Sequence, residues 1–120
     1  MVPKTSYSYR AMVVRWIDGD TVEVRIDLGF STARTEVVRV FGINAPELRS
    51  SDPLQRQQAV RAKSQAESLA PNGSFVQLAT VKPKEKYGRF LASVITDDGI
   101  DVGMALIGDG LAVAYHGEKR

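Results

Sequence analysis

The spacing of hydrophobic and polar residues first predicts a β-hairpin. Residues 20–28 alternate between apolar and polar side chains, which is typical of a strand with one buried side. The apolar positions are Val22, Val24, Ile26 and Leu28. Residues 7–17 are rich in aromatic and β-branched side chains, which also favours a strand, and the turn signal Asp18-Gly19 lies between the two segments. We therefore expect the two strands to pair antiparallel.

A third strand and a helix follow the hairpin. Residues 35–43 are again typical of a strand, in which Gly42 predicts a bulge or a close approach of another backbone. Over residues 53–69 the spacing becomes helical, and Pro53 suits the first turn of a helix. The recurring apolar positions are Ala59, Ala62, Ala66 and Leu69. Their small size predicts close packing of the helix against a sheet.

The last part of the chain predicts two more strands and a short helix. The strands are residues 74–80 and 90–96, and Asp101 is placed to cap a helix that follows the second of them. Five short strands with a helix between the third and fourth are typical of the five-stranded OB-type barrel. We therefore predict a mainly β fold, a β-barrel with α-helices, as a single domain over residues 1–120.

Composition narrows the chemistry that this chain can perform. Its 120 residues contain no Cys and one His, His116, so thiolate zinc sites, Cys nucleophiles and His-rich metal sites are excluded. A metal would need oxygen ligands, which favours calcium or magnesium. No apolar run approaches the roughly 20 residues of a membrane-spanning helix, so we expect no membrane association. The first residues contain no apolar signal core, which predicts a cytoplasmic protein, with secretion as the open alternative.

Two basic segments stand out on a chain whose net charge is only +2. Residues 34–63 hold six Lys and Arg against three Asp and Glu, and residues 81–89 hold four against one. Segments of this kind indicate a local anionic ligand, although a solvated surface gives the same pattern.

The chemistry-bearing residues occur in short motifs, each ambiguous by itself. Asp18 and Asp20 flank Gly19 at a strand junction, as in a calcium site or a plain hairpin turn. Arg39 lies inside an apolar strand, where a guanidinium requires a partner anion, either a carboxylate or a phosphate. Glu47 follows a proline and is a candidate general base or simply the start of a loop.

Two further segments offer contacts to a nucleotide. Lys86, Tyr87 and Arg89 surround Gly88, so this loop could hold a phosphate and stack a base, or form a solvated turn. Tyr115 is a candidate ligand contact, and a core or surface tyrosine is the alternative.

Taken together and in this order, the motifs DGDT, R-x-x-G-I-N-A-P-E and E-K-Y-G-R-x-L-A resemble the staphylococcal nuclease (thermonuclease) family. The resemblance extends from about Ala11 to Tyr115. It implies an OB-like barrel that cleaves phosphodiester bonds with calcium. It also implies a substrate of DNA and RNA, with single strands preferred, and a monomeric protein.

The resemblance also implies roles for particular residues. It implies catalytic roles for Arg39, Glu47 and Arg89, and calcium binding through Asp20, Asn44 and the backbone carbonyl of Ala45. It implies substrate contacts for Lys86, Tyr87 and Tyr115, and a nearby acidic role for Asp18. The family's best-known form has aspartate and threonine at positions 44 and 45, so the amide of Asn44 predicts weaker calcium binding here.

Two function hypotheses follow from the sequence. The first is a calcium-dependent endonuclease with little sequence preference, because its contacts would go to phosphates and ring faces. The second is a non-catalytic OB-type module that binds nucleic acid or protein. The enzyme is favoured by the joint presence of Asp20, Arg39, Glu47 and Arg89. The binding module is favoured by Asn44.

Overall fold

The fold is a closed five-stranded β-barrel with two helices, seen in a computed structural model that describes residues 7–81 and 90–115. The barrel strands are β1 (Ser8–Asp18), β2 (Thr21–Gly29), β3 (Thr32–Val40), β5 (Phe75–Val81) and β6 (Phe90–Thr96). Two short strands, β4 (Ile43–Asn44) and β7 (Val113–Ala114), form a separate pair. The helices are α1 (Pro53–Leu69) and α2 (Val102–Gly108).

The order of strands around the barrel is β1-β2-β3-β6-β5. Neighbouring strands pair antiparallel, except that β3 and β6 are parallel, and the β1–β5 pair closes the barrel. Helix α1 comes between the third and fourth barrel strands along the chain, and α2 follows the fifth. The predicted mainly β class and OB-like architecture are therefore confirmed.

The barrel interior is filled mainly by valines, together with Trp16, Leu78 and two alanines, Ala11 and Ala92. The largest of these buried side chains is Trp16, whose indole N–H donates to the carbonyl of Ala70, 2.9 Å away. This bond joins β1 to the end of α1, because Ala70 is the residue after the last turn of the helix. Ala59, Ala62 and Ala66 are buried, as their spacing predicted.

Helix α1 lies unusually close to the β1–β2 turn, because both surfaces are made of small residues. A Cβ atom added at Gly19 would lie 2.9 Å from the Cβ of Ala62 and 3.3 Å from that of Ala45. Gly19 does not have a positive φ, so close packing, and not turn geometry, requires glycine there. The helix begins at its cap, Asp52, which accepts a 3.0 Å hydrogen bond from the backbone of Leu54.

Two expectations from the sequence were wrong in detail. The third strand ends at Val40 and not at residue 43, since Gly42 adopts a left-handed φ of 84° that breaks the strand. Leu28 is exposed instead of buried, because the β2–β3 hairpin extends away from the core and residues 27–35 are all exposed. In the described part of the chain, no helix is both long and apolar enough to cross a membrane.

Candidate functional site

The start of β2 and the end of β3 bring the first two candidate residues together. Thr21 pairs with Arg39 across these strands, and Asp20 immediately precedes β2. The backbone N–H of Val40 donates to the carbonyl of Asp20 over 2.9 Å, which fixes the two strand ends. The pairing therefore places the side chains of residues 20 and 39 at the same end of the barrel.

Arg39 and Asp20 form a buried ion pair. The Nη1 atom of Arg39 lies 2.7 Å from Oδ2 of Asp20, and the two side chains are 11% and 7% exposed. The carboxylate also accepts hydrogen bonds from the backbone N–H of Ala45, at 2.8 Å, and from the hydroxyl of Thr21, at 3.0 Å. The partner anion that Arg39 requires inside its strand is thus a carboxylate of the same chain.

The guanidinium of Arg39 links Asp20 to Asn44. Its Nη2 atom donates to Oδ1 of Asn44 over 3.1 Å, while Nη1 contacts Asp20. Asn44 lies in β4, which pairs with β7 and so brings Tyr115 to the same place. The central carbon of the Arg39 guanidinium lies 5.9 Å from the centre of the Tyr115 ring. Five of the sequence-predicted residues therefore form one cluster, namely Asp20, Arg39, Asn44, Ala45 and Tyr115.

The loop that carries Glu47 is tied to the same end of the barrel through Asp18. Oδ1 of Asp18 accepts a 3.1 Å hydrogen bond from the backbone N–H of Leu48. Burial raises the pKa of Asp18 above its usual range, and the negative charges of Asp20 and Glu47 add to this effect. The Leu48 hydrogen bond and the positive charge of Lys63 oppose it. Asp18, Asp20 and Glu47 therefore share one electrostatic environment.

Glu47 itself is exposed, and no Lys or Arg of residues 7–81 and 90–115 forms an ion pair with it. Its side chain is therefore open to a substrate or a water molecule at the edge of the cluster. Three further candidates, Lys86, Tyr87 and Arg89, lie outside the described residues.

The oxygen atoms of the cluster suit a hard cation, but they carry little charge. A carboxylate has about four acceptor positions, and the contacts of Asp20 with Thr21, Ala45 and Arg39 use three. The amide oxygen of Asn44 accepts from Arg39 and keeps a second lone pair. Each side chain can thus still offer oxygen to a cation such as calcium. No group of three or more His, Asp or Glu side chains suited to a metal occurs among the described residues.

Three residues contribute to this site in ways that the sequence motifs did not indicate. The Thr21 hydroxyl and the Leu48 backbone N–H hold the two aspartates, and Lys63 adds positive charge near Asp18. Thr21 lies within the motif DGDT, so its position was visible although its role was not. Lys63 follows Ala62, the residue of α1 that packs on Gly19, and only the docking of the helix places it here.

Comparison with known proteins identifies the family of this chain. The family model described as "Staphylococcal nuclease homologue" matches residues 37–120. The chain is also similar to the protein named Endonuclease YhcR of Bacillus subtilis (strain 168), with 27% identity over 119 residues. That similarity covers 94% of this chain but only 9% of the relative. The matched family region holds Arg39, Asn44 and Glu47, and this chain belongs to the staphylococcal nuclease homologue family.

Proposed function

We propose that this protein is a calcium-dependent endonuclease that hydrolyses the phosphodiester bonds of DNA and RNA. Membership of the family and the similarity to an endonuclease support this proposal. The observation that carries it is the position of Arg39, whose guanidinium contacts Asp20 and Asn44 beside the loop of Glu47. A binding-only surface has no need of a buried arginine held in place beside an exposed carboxylate.

The guanidinium of Arg39 is preorganised to bind a phosphate. A guanidinium carries more N–H donors than the contacts with Asp20 and Asn44 use, and its planar shape suits two phosphate oxygens at once. Because those contacts fix its plane, little side-chain freedom is lost when a phosphate binds. Its hydrogen bonds would strengthen as negative charge develops on the non-bridging oxygens in the transition state.

Glu47 would act on the attacking water. Its carboxylate is exposed at the edge of the cluster, where it can accept a proton as the water oxygen approaches the phosphorus. The Leu48 N–H to Asp18 hydrogen bond holds the backbone beside Glu47 and so restricts where this carboxylate can lie. Arg89 would bind the phosphate together with Arg39, and Lys86, Tyr87 and Tyr115 would contact the rest of the nucleotide.

Asp20, Asn44 and the carbonyl of Ala45 would hold the calcium ion. When bound, such an ion supplies positive charge that polarises a phosphate oxygen. With one carboxylate and one amide among the side-chain ligands, we expect weak binding. We also propose a monomer that prefers single strands. Its contacts would go to phosphates and ring faces, which would give little sequence preference.

The alternative is a module of the same family that binds nucleic acid or protein without cleaving it. Asn44 favours this alternative, because an amide brings no charge to the cation. The two functions differ in one respect that can be measured directly, namely whether the strand is cut.

Cleavage of end-labelled single-stranded DNA tests the proposal. The wild-type protein should cut in calcium and stop cutting when a chelator is added. Glu47→Gln should bind the strand but cut it at least about a hundredfold more slowly, the usual size of a general-base contribution. Glu67→Gln, a variant in α1 outside the contacts described above, is the control and should cut normally. Cleavage that persists in chelator excludes the metal role, and absence of cleavage in calcium supports the binding module.

A further inference from the structure

A groove lies on the outer side of the barrel, at the end of β2 that is distant from the candidate site. Its volume is about 350 Å³, and β1, β2, β5 and the β2–β3 hairpin form its walls. The walls include Arg10, Met12, Arg25, Asp27 and Phe75. Arg25 lies four residues beyond Thr21, which corresponds to about 14 Å along a strand. The groove is therefore separate from the cluster around Arg39.

The groove and Arg39 nevertheless lie on the same face of the sheet. In the β2–β3 pair, Thr21 is opposite Arg39 and Arg25 is opposite Thr35. Side chains separated by an even number of residues point to the same side of a strand. The outer face of β2 and β3 thus extends from Arg39 past Glu23, whose carboxylate is paired with Arg15, to the groove.

The side chains of the groove suit an anionic ligand that has aromatic rings. The guanidinium carbon of Arg10 lies 4.5 Å from the centre of the Phe75 ring, which is 47% exposed. Arg25 is exposed, and among the described residues no carboxylate lies within ion-pair distance of it. An unpaired guanidinium can bind a phosphate, and an exposed aromatic ring can stack a base.

The acidic residues near the groove do not cancel its positive charge. Oδ1 of Asp27 accepts a 2.8 Å hydrogen bond from the backbone N–H of Gly29, which holds this charged carboxylate toward the β2–β3 turn. Oδ1 of Asp97 lies 3.8 Å from Nη1 of Arg10. Both side chains are more than half exposed, so this ion pair is weak. The walls hold two arginines against one aspartate, which leaves one excess positive charge.

We infer that this groove is a second binding site for the nucleic-acid strand, remote from the bond that is cut. A single-stranded segment that leaves Arg39 would follow the outer face of β2 and β3, place a phosphate on Arg25 and contact a base through Phe75 and the Arg10 guanidinium that lies over its ring. This inference rests on the proposed function, and it names the part of the surface that gives long strands an advantage over short ones. OB-type barrels bind between about 4 and 16 nucleotides, so one strand can contact both places.

Binding of fluorescein-labelled DNA, followed by anisotropy in the presence of a chelator, tests the inference. A dinucleotide and a single strand of about ten nucleotides are compared. The long strand should bind the wild-type protein more tightly than the dinucleotide. Phe75→Ala and Arg25→Ala should each weaken binding of the long strand by about fivefold or more. Neither variant should change the affinity for the dinucleotide.

The salt dependence gives a second measurement that folding defects do not imitate. Each phosphate contact that is lost lowers the slope of log K against log salt by about 0.7 for a single strand. Arg25→Ala should show this change, and Phe75→Ala should not. Arg61→Ala, an exposed arginine of α1 outside the groove, is the matched control and should leave the affinity for the long strand unchanged. The fluorescence of Trp16 in each variant reports whether the barrel is folded.

The outcomes separate this inference from the proposed function. Equal affinity of folded Arg25→Ala, Phe75→Ala and wild-type protein for the long strand overturns the groove as a nucleic-acid site. The same result with intact cleavage leaves the nuclease standing and opens the groove to a protein partner. Loss of long-strand binding in the variants of a protein that does not cut supports the groove and overturns the nuclease.

Discussion

The buried ion pair between Arg39 and Asp20 should contribute to the stability of the barrel. Arg39→Met keeps much of the length and apolar part of the side chain but removes the guanidinium. Asp20, whose side chain is 7% exposed, would then remain as a buried carboxylate without its cation. The barrel should therefore become less stable, in addition to any loss of activity.

The size of the loss follows from the remaining contacts of Asp20. Breaking a buried ion pair by removing one partner costs about 3–5 kcal/mol, because the other charge stays buried. Asp20 would keep its hydrogen bonds from Thr21 and Ala45, which places the loss at the lower end, about 3 kcal/mol. For a domain of this size, that corresponds to a decrease of about 10 °C in the melting temperature.

Urea unfolding followed by tryptophan fluorescence measures this loss. The chain contains a single tryptophan, Trp16, which is buried in the barrel core and therefore reports on its unfolding. Arg34→Met is the matched control, because Arg34 belongs to the same strand but is 63% exposed, so its ion pair with Glu36 is largely solvated. That control should change the free energy of unfolding by about 0.5 kcal/mol or less.

A double-mutant cycle with Asp20→Asn isolates the pair. The effects of Arg39→Met and Asp20→Asn should be clearly non-additive, since each change removes the same interaction. If Arg39→Met unfolds at the same urea concentration as Arg34→Met, or if the effects of Arg39→Met and Asp20→Asn simply add, the buried pair does not stabilise the barrel.

Three other substitutions test the calcium site, the pKa of Asp18 and the packing of α1 on Gly19. Asn44→Asp adds a carboxylate beside Asp20, so calcium binding measured by titration calorimetry should tighten by about tenfold; no gain would mean that residue 44 does not face the metal. Burial raises the pKa of Asp18 above 3.8, so the folded state keeps this proton to higher pH than the unfolded state. The free energy of unfolding of the wild-type protein should therefore fall as pH rises from 3.8 toward the higher pKa of folded Asp18. Asp18→Asn, whose amide oxygen still accepts from the Leu48 N–H, should gain stability relative to wild type over the same pH interval in urea unfolding. A stability difference that does not change with pH contradicts the raised pKa of Asp18. Gly19→Ala places a Cβ 2.9 Å from the Cβ of Ala62 and, by displacing α1, should lower the free energy of unfolding in urea by about 1–3 kcal/mol. Its control, Gly108→Ala, places a Cβ in open space and should leave that free energy unchanged or slightly higher.

Local sequence pattern predicted the helix and the last barrel strand well. The bounds of α1 match residues 53–69, since a proline begins the helix and the small residues repeat at helical spacing up to Leu69. The strand at residues 90–96 likewise agrees. In both cases the information is contained within the segment, so no knowledge of its neighbours is needed.

Long-range packing explains what the pattern missed. Leu28 continues the alternation of β2, but alternation predicts which side a residue faces and not where the core ends. The two-residue strand β4 has no periodicity to detect, yet its pairing with β7 brings Asn44 and Tyr115 to Arg39. Gly19 was visible as a turn residue, although its close contact with Ala62 depends on how α1 docks.

For the candidate site, motifs indicated the residue types and the fold supplied their contacts. Nothing near Arg39 in the sequence indicates that its partner is Asp20, because the contact depends on the register between β2 and β3. The roles of Leu48 and Lys63 depend in the same way on the loop and the helix that reach Asp18.

The cleavage rate of Arg39→Lys on single-stranded DNA in calcium tests directly whether the guanidinium of Arg39 takes part in the reaction. Lysine keeps the positive charge beside Asp20, so the barrel should stay folded, but its ammonium cannot contact two phosphate oxygens with a planar fork. We predict that the wild-type protein cuts the strand and that Arg39→Lys, still folded, cuts it at least about a hundredfold more slowly. Cleavage by Arg39→Lys at the wild-type rate would contradict the account, because the guanidinium held by Asp20 and Asn44 would then have no part in the reaction.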